Sequence, residues 1–455
     1  MSPLELSRPR RIHVVGAGGA GMSAIAAVLA AMGHEVSGSD LKPSKALDRL
    51  AALGVSVKVG HDGSNLGRAE AVVISSAIPV DNVEVARALR EGIPVHSRAE
   101  ALSAIVACRR SVAVSGTHGK TTTSSMLALV LVEAGLRPSF LVGGDIHQVG
   151  TNAVWDEGEW LVVEADESDG TFLEIAPELA VLTSVEPDHL DHYGSFEALE
   201  AAFAEFLAKA PGGAVVCADD PIASRLAPSG ALRYGLSDAA DLHLGGLVGD
   251  RSEVAFDVTL RGEPLGRVVV PVPGVHNALN AAAALAAAFT IGVPFEPARR
   301  ALARFAGVAR RFEFRGEARG ISFVDDYAHL PGEVAATLAA ARRGGWRRLV
   351  CVFQPHRFSR VEALAPAFAD AFVDADLVVL TGIYPAGEAP RPGVSSKLLL
   401  DAVLDAHPGA NLAYLPDRGE LLAYLRRILE PGDCCLTLGA GDLTTLPDEL
   451  LAELS

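Results

Sequence analysis

RIHVVGAGGAGMSAIAAVLAAMGHEVSGSD, residues 11–40, is the stretch whose reading decides the fold. Residues 11–15 are a short β-branched run, glycines follow, and residues 22–32 place apolar side chains at helical spacing. Residues 36–39 read as a second strand. A period of two giving way to 3.6 across a glycine cluster is a strand–turn–helix–strand signal. Gly16, Gly18 and Gly21 have the GxGxxG spacing, with Gly19 beside them. Glycines let the backbone approach a pyrophosphate, and the N-terminus of the helix attracts its charge. Asp40 ends the second strand, where dinucleotide folds place a carboxylate for a ribose hydroxyl. The loop alone reads as a diphosphate site. A dinucleotide, as in an NAD-dependent oxidoreductase, another diphosphate ligand and a purely structural turn all remain open at this point.

Working outward, residues 55–59, 71–75 and 94–96 read as strands and 83–91 as a helix. Alternating β and α imply a parallel sheet with crossover helices. A second unit starts near Arg109 with a strand at 111–115, a glycine loop at 116–123 and a helix at 124–133. Strands at 160–164, 179–183 and 214–217, a long helix at 196–209 and a second helix at 277–290 follow. Residues 242–270 alternate like an antiparallel hairpin, and 271–274 form a turn. A third unit starts near Phe312, with strands at 321–324, 349–353, 377–380 and 434–438. No fixed-period repeat or low-complexity tract interrupts this order. A single core stops growing at about 250–300 residues, so several α/β units are expected in a chain of 455.

The net charge of −17 argues against a nucleic-acid binder. It leaves room for small anions, which backbone N–H groups and a few cations hold locally. Cys108, Cys217, Cys351, Cys434 and Cys435 are odd in number and form no CxxC pair, which disfavours a disulfide framework or zinc site and fits a reducing cytoplasm. Arg10 and Arg11 precede an apolar stretch as in a signal peptide, but His13 and the glycines suit a strand and turn better. The Ala-rich run 281–293 is shorter than the ~20 residues of a membrane span and reads as a core helix.

The loop Gly116-Thr117-His118-Gly119-Lys120-Thr121-Thr122-Thr123 is the second chemical signal. Its N–H groups can cradle phosphate oxygens, Lys120 can neutralise β/γ charge, and Thr121 can ligate Mg²⁺. The usual P-loop spacing would put glycine where Val114 stands, so this is a shorter variant. One apolar strand runs into Glu164-Ala165-Asp166-Glu167-Ser168-Asp169, another into Glu186-Pro187-Asp188-His189-Leu190-Asp191-His192. Ligand sites of α/β sheets lie beyond strand C-termini, and Mg²⁺ prefers one or two carboxylates with substrate oxygens. Glu164 and His189 are candidate ligands. Most of the other acids, Glu157 and Glu159 included, read as solvated loop charges, and His192 as a surface or supporting group. Asn277 and Asn280 share a helix face, and an amide can pair with an adenine edge; helix capping by Asn277 is the competing reading. Arg310 and Arg311 suit either a phosphate clamp or surface charge. Asp325-Asp326-Tyr327-Ala328-His329 and Gln354-Pro355-His356-Arg357-Phe358-Ser359-Arg360 each follow a strand.

Taken in order, these segments resemble the Mur ligase family over residues 11–444. GAGGAGMSAIA, SGSD and SSAI, which begins at Ser75, are similar to the nucleotide-sugar domain of its L-alanine-adding branch. GTHGKTTT, EADESD, EPDHLD, HNALNA, RRFE, DDYAH, QPHRFSR and LGAGD follow in the family's order. One departure is Leu330, which stands where the family pattern DDYAHHP has its second histidine.

The resemblance implies an α/β protein of three domains. Residues 1–108 would be a Rossmann-like domain binding a UDP-sugar, not NAD, through Gly16, Gly18, Gly19, Gly21, Asp40 and Ser75. Residues 109–309 would be a central P-loop-type α/β domain binding ATP. Residues 310–455 would be a C-terminal Rossmann-like α/β domain closing over ATP and the amino-acid site. By the same resemblance, ATP would meet Gly116, Thr117, His118, Gly119, Lys120, Thr121, Thr122, Asn277, Asn280, Arg311 and Asp325. Mg²⁺ would meet Thr121, Glu164 and His189. Tyr327, His329, His356 and Arg357 would lie by the amino acid, and Lys120, Glu164, His189, Arg311 and His329 would carry the catalysis. The implied reaction joins L-alanine to UDP-N-acetylmuramate through an acyl phosphate, as a step of peptidoglycan precursor synthesis. A cytoplasmic monomer or homodimer without membrane span or nucleic-acid partner is implied with it. No side chain stands out as the base for the amine. The alternatives are a recycling ligase of the same family that adds a whole peptide, an NAD-dependent oxidoreductase, and a nucleotide-binding regulator without turnover.

Overall fold

The computed structural model describes residues 4–75, 77–79 and 81–454, apart from the side chain of Asp191. Ser76 of the SSAI segment therefore lies outside the described residues, as does the Asp191 side chain of EPDHLD. The chain divides into two compact units. The first runs to Gly245 and takes in Asp257–Val268 and Leu279–Arg304; the second holds Gly246–Phe256, Val269–Ala278 and the chain from Phe305 onward.

The first unit opens with a five-stranded parallel sheet: β1 (Arg11–Val15), β2 (Glu35–Asp40), β3 (Ser56–Val59), β4 (Ala71–Ile74) and β5 (Val95–Ser97), in the order β3-β2-β1-β4-β5. The order reverses between β1 and β4, so the loops leaving β1 and β4 diverge there. Such a switch point leaves a crevice at the strand C-termini, and the Gly16 turn occupies it. Helix Ala20–Ala31 follows directly and buries Met22, Ile25, Val28 and Leu29.

The next sheet contains β6 (Arg110–Ser115), β7 (Ser139–Ile146), β8 (Thr151–Val154), β9 (Trp160–Glu164), β10 (Leu179–Leu182), β11 (Ala214–Cys217), β12 (Leu232–Gly235), β13 (Leu242–Gly249), β14 (Val254–Leu260) and β15 (Glu263–Val270). Its ten strands run β15-β14-β13-β12-β11-β10-β6-β9-β7-β8. β6 lies between β9 and β10, parallel to both, so three strand C-termini adjoin. The segment read as a hairpin is a run of three neighbouring strands, and β7 and β8 add an antiparallel edge. Helix Lys120–Glu133 begins four residues before the expected 124, because Gly119 in a left-handed conformation closes the loop early. Thr121, Thr122 and Thr123 are thereby helical. Apolar residues of the two sheets merge into one cluster, from Val14 and Leu29 to Leu161, Leu182 and Phe206.

In the second unit β16 (Glu313–Ala318), β17 (Ile321–Asp326), β18 (Arg348–Phe353), β19 (Leu377–Leu380), β20 (Leu412–Tyr414) and β21 (Asp433–Leu438) are ordered β16-β17-β21-β18-β19-β20. Only β16 is antiparallel to its neighbour. Side chains alternate between the faces of a strand. Cys434, Leu436 and Leu438 accordingly pack with Val324 and Phe353 on one face, and Cys435 packs with Phe323 and Val350 on the other. All five cysteines are free thiols, and burial pushes the Cys435 thiol up to about 12. Among the described residues no helix is long and apolar enough to cross a membrane. The Ala-rich helix Val275–Thr290 is a core helix, with Ala281 through Ala288 fully buried.

Candidate active site

The first glycine turn is held from below by β2. The Ser39 carbonyl accepts from the N–H groups of Gly16 and Ala17, both at 2.9 Å. Asp40 Oδ2 accepts from Gly18 N at 2.8 Å, and a Cβ on Gly18 would come within 2.8 Å of that oxygen. Gly18 is therefore required by its own neighbour in addition to any ligand. Gly16 has φ +82° and sits against Ser75 and Ile78, while Gly21 faces the Arg98 guanidinium. Ser75 Oγ accepts from Ala77 N at 3.2 Å. The structure thus brings Gly16 to Ser75 and Gly18 to Asp40, with Gly21 one turn further on, against Arg98. Gly19 completes the turn, and a Cβ there would meet the Gly16 carbonyl only at ordinary van der Waals distance, 3.6 Å.

The second loop rises between β9 and β10. Lys120 Nζ turns back onto the Gly116 carbonyl at 2.6 Å and the Thr117 carbonyl at 3.3 Å, and it pairs with Glu167 at 2.8 Å. The lysine side chain is 14% exposed and the glutamate 2%. Burial works against the lysine's charge, but Glu167, Asp166 and Glu164 outweigh it and hold Lys120 protonated. Glu167 is the main addition to the sequence reading, which gave it no role of its own. Its carboxylate reaches Lys120 because β9, which it follows, lies parallel and next to β6, which leads into the loop. Glu157 and Glu159 are exposed, as expected.

Thr121 Oγ1 donates to Glu164 Oε1 at 3.0 Å, and Glu164 Oε2 accepts from Gly143 N at 2.6 Å. A hydroxyl and a carboxylate in contact are hard oxygen donors of the kind magnesium takes together with phosphate oxygens and water. His189, in a left-handed conformation at φ 53°, has Nε2 3.1 Å from Asp188 Oδ2. The segment after β10 wraps the loop further. Ser184 O accepts from Thr117 N at 2.9 Å, Ser184 Oγ accepts from His118 N at 3.0 Å, and His118 Nε2 lies 3.0 Å from Glu186. Asn280 Oδ1 accepts from Thr123 at 3.3 Å and lies where a Cβ on Gly119 would collide with it. This amide supports the loop from beneath, a role the sequence reading did not assign. Thr122 is buried in the helix's first turn.

In the second unit, Asn277 Nδ2 donates to the Pro273 carbonyl at 2.7 Å, a local bond at the helix start. Arg310 and Arg311 both lie over the Tyr327 ring, at 4.8 and 5.1 Å. Arg310 also donates to the Gly439 and Gly441 carbonyls. Asp325 is buried, with Thr437 and Thr444 each donating to one of its oxygens at 2.6 Å. Burial raises Asp325, and it lifts Asp326 to about 6 against the opposing pull of Arg311.

Tyr327, His329 and His356 form a chain of rings with centroid separations of 5.4 and 5.6 Å. Tyr384 extends it, stacked on His356 at 5.7 Å and 12°. Burial, then the charges of His329, Arg360 and Arg357, depress His356 to about 3. Arg360 donates to His356 Nδ1 at 3.1 Å, which leaves the imidazole hydrogen on Nε2. Arg357 adopts φ 66° and is anchored through its N–H to Tyr384 O at 2.8 Å. Tyr384 and Glu388, the acceptor from Ser359 N and Oγ, had no motif to mark them. Their only signal was position just beyond the end of strand β19.

The family models named Mur ligase family, catalytic domain; Mur ligase middle domain; and Mur ligase, glutamate ligase domain match residues 11–110, 114–288 and 310–441. The chain is 48% identical over 453 residues to the UDP-N-acetylmuramate–L-alanine ligase of Anaeromyxobacter sp. (strain Fw109-5), covering 98% of each. It is 45% identical over 455 residues to that of Pelotomaculum thermopropionicum, covering 99% of this chain and 98% of the relative. Among solved structures, UDP-N-acetylmuramate-alanine ligase MurC of Thermotoga maritima superposes with a TM-score of 0.82 at 29% identity, over 98% of this chain and 99% of that one. A murein peptide ligase of Psychrobacter arcticus gives 0.70 at 25% identity, over 98% of both.

Proposed function

The chain belongs to the Mur ligase family, and from that premise we propose that it joins L-alanine to UDP-N-acetylmuramate, consuming ATP, in peptidoglycan precursor synthesis. The observation that carries the choice of substrates is near-full-length identity of 45–48% to relatives named for that reaction. The peptide-adding reading is the second choice, resting on a weaker structural likeness at 25% identity. A cytoplasmic location fits the nucleotide substrates.

The chemistry follows from a poor electrophile. A carboxylate must be activated before an amine can attack it, and the γ-phosphoryl group of ATP supplies the activation. The lactyl carboxylate attacks the γ-phosphorus and ADP leaves. The amino group of L-alanine then adds to the acyl phosphate, loses a proton and expels inorganic phosphate. Phosphoryl transfer depends mainly on positioning and charge stabilisation.

Lys120 would exchange its bonds to Gly116 O, Thr117 O and Glu167 for phosphate oxygens. The N–H groups from Gly119 to Thr122, at the start of the helix, would line the triphosphate, with Gly116, Thr117 and His118 shaping the loop beside it, and Arg311 would add charge in the second unit. Thr121, Glu164 and His189 would hold Mg²⁺, which spreads the developing charge of the β- and γ-phosphates when bound. Tyr327, His329, His356 and Arg357 would line the amino-acid side, and Asn277, Asn280 and Asp325 the nucleoside. We take domain boundaries at 108/109 and 309/310, between the sheets. Gly16, Gly18, Gly19, Gly21, Asp40 and Ser75 would hold the uridine diphosphate.

Phosphate release from ATP, measured with UDP-N-acetylmuramate and either L-alanine or the peptide L-Ala-γ-D-Glu-meso-diaminopimelate, tests the proposal. L-Alanine should support release and the peptide should not. Release with the peptide alone would transfer the protein to the recycling branch, and no release with either would end the ligase reading.

A further inference from the structure

Glu84 is fully buried in the first unit, in the opening turn of helix Val83–Arg90. Three segments meet at its carboxylate. Ser39 Oγ, from β2, donates to Oε2 at 2.6 Å. His61 Nδ1, just past β3, lies 3.1 Å from the same oxygen. Asn65 Nδ2 donates to Oε1 at 2.6 Å, and Asp62 N donates to it at 3.3 Å. From β1, His13 Nε2 lies 3.7 Å from Oε2, its ring held at Nδ1 by Ser37 Oγ at 2.8 Å. Burial alone would raise this carboxyl, but His13, Ser39 and Asn65 outweigh it and bring Glu84 down to about 2. The group is a carboxylate at any working pH.

The position of this hub matters because of what its partners hold. Ser39 is the residue whose carbonyl receives Gly16 N and Ala17 N, and the next residue, Asp40, receives Gly18 N. Asp40 O also accepts from Gly60 N at 2.7 Å, which ties the start of the His61 segment to β2. Glu84's own helix follows the segment of Ile78, which packs on Gly16. One buried charge therefore braces the floor of the first glycine turn and the loop after β3. A carboxylate can only accept, so Ser39 Oγ must donate and His61 Nδ1 must carry its hydrogen. The hydroxyl rotor and the imidazole ring are thereby set in one orientation.

We propose that Glu84 is a positioning residue for the uridine-diphosphate substrate: through Ser39 and His61 it preorganises the Gly16–Asp40 crevice, while taking no part in ATP chemistry. The proposal rests on the reading of that crevice as the nucleotide-sugar site. The spacing of the three segments in the chain, with 45 residues from Ser39 to Glu84 and 19 from Asn65, makes a merely local capping role insufficient. The local cap of this helix is Asn82, whose Oδ1 accepts from Glu84 N at 2.9 Å.

The test measures UDP-N-acetylmuramate binding by calorimetry, and steady-state kinetics for each substrate, in wild type, Glu84→Gln and Glu84→Asp. Glutamine offers one acceptor where two are used, so one buried donor loses its partner and the dissociation constant for the nucleotide sugar should rise roughly tenfold. The KM for ATP and kcat should stay within about twofold, since those groups lie on another sheet. Glu84→Asp, which keeps the charge, should recover part of the affinity. Equal affinity in wild type and Glu84→Gln overturns the proposal, as does a parallel loss in every kinetic constant. Should Glu84→Gln fail to fold, Ser39→Ala carries the same test, with a smaller loss confined to the nucleotide sugar. If the wild type itself binds no uridine nucleotide, the reading of the crevice fails first; if it binds and the variants match it, only the role of Glu84 fails.

Discussion

His356 shows how far one side chain departs from its ordinary chemistry. It is an imidazole between an arginine, another histidine and a tyrosine ring, depressed to about 3 by burial and by the charges of His329, Arg360 and Arg357. In the unfolded chain it titrates near its ordinary value of about 6.5. Between those limits the unfolded state binds the extra proton, so stability rises with pH there and is lost as pH falls. His356→Gln should therefore flatten the pH dependence of unfolding between about pH 6.5 and 4, where the slope from one group cannot exceed about 1.4 kcal/mol per pH unit. Urea midpoints with hydrogen exchange on the C-terminal sheet would measure it; identical slopes would mean the ring's burial is inconsequential. Lys120 and Thr121 were singled out in the sequence as candidates because a lysine and threonine after a glycine loop have few structural uses. Glu167 was not, since nothing local separates it from Asp166 or Asp169.

At the level of elements, the junction of β6 with helix Lys120–Glu133 is the most constrained. Gly119 has φ +79°, and a Cβ there would collide with the Asn280 amide. A non-glycine residue in that conformation costs about 1–2 kcal/mol before any collision is counted. Gly119→Ala should weaken ATP binding by at least tenfold, with the chain still folded by circular dichroism. An unchanged ATP affinity would show that the loop tolerates a different path. Strand periodicity placed the parallel cores well, because alternation and β-branching are local signals. It missed the early helix start at Lys120, which depends on a left-handed glycine, and the third strand in the 242–270 region. Helix Pro331–Arg342 likewise begins on Pro331, with Glu333 accepting from His329 N at 2.9 Å and Leu330 N at 3.2 Å. Leu330, standing where the family has histidine, is buried there as a core residue.

Across the whole molecule, the two glycine turns stand at switch points of two different sheets, and this separation makes their ligands independently testable. Lys120→Ala should abolish phosphate release while UDP-N-acetylmuramate affinity stays within about twofold. Asp40→Ala should do the reverse, weakening the nucleotide sugar several-fold and leaving ATP binding intact. Equal losses of both ligands in either variant would contradict the division of labour. The order of motifs, the α/β class and the two glycine loops at strand–helix junctions were legible in the sequence itself, because glycine spacing and hydrophobic period act over a few neighbouring residues. Which acids are buried was decided only in three dimensions. Lys120 meets Glu167 47 positions away, and Asp325 meets Thr437 112 positions away, because parallel strands set side by side bring their C-terminal ends together. Burial there turns ordinary carboxylates into charges that must be paired, and no short window of sequence contains both partners.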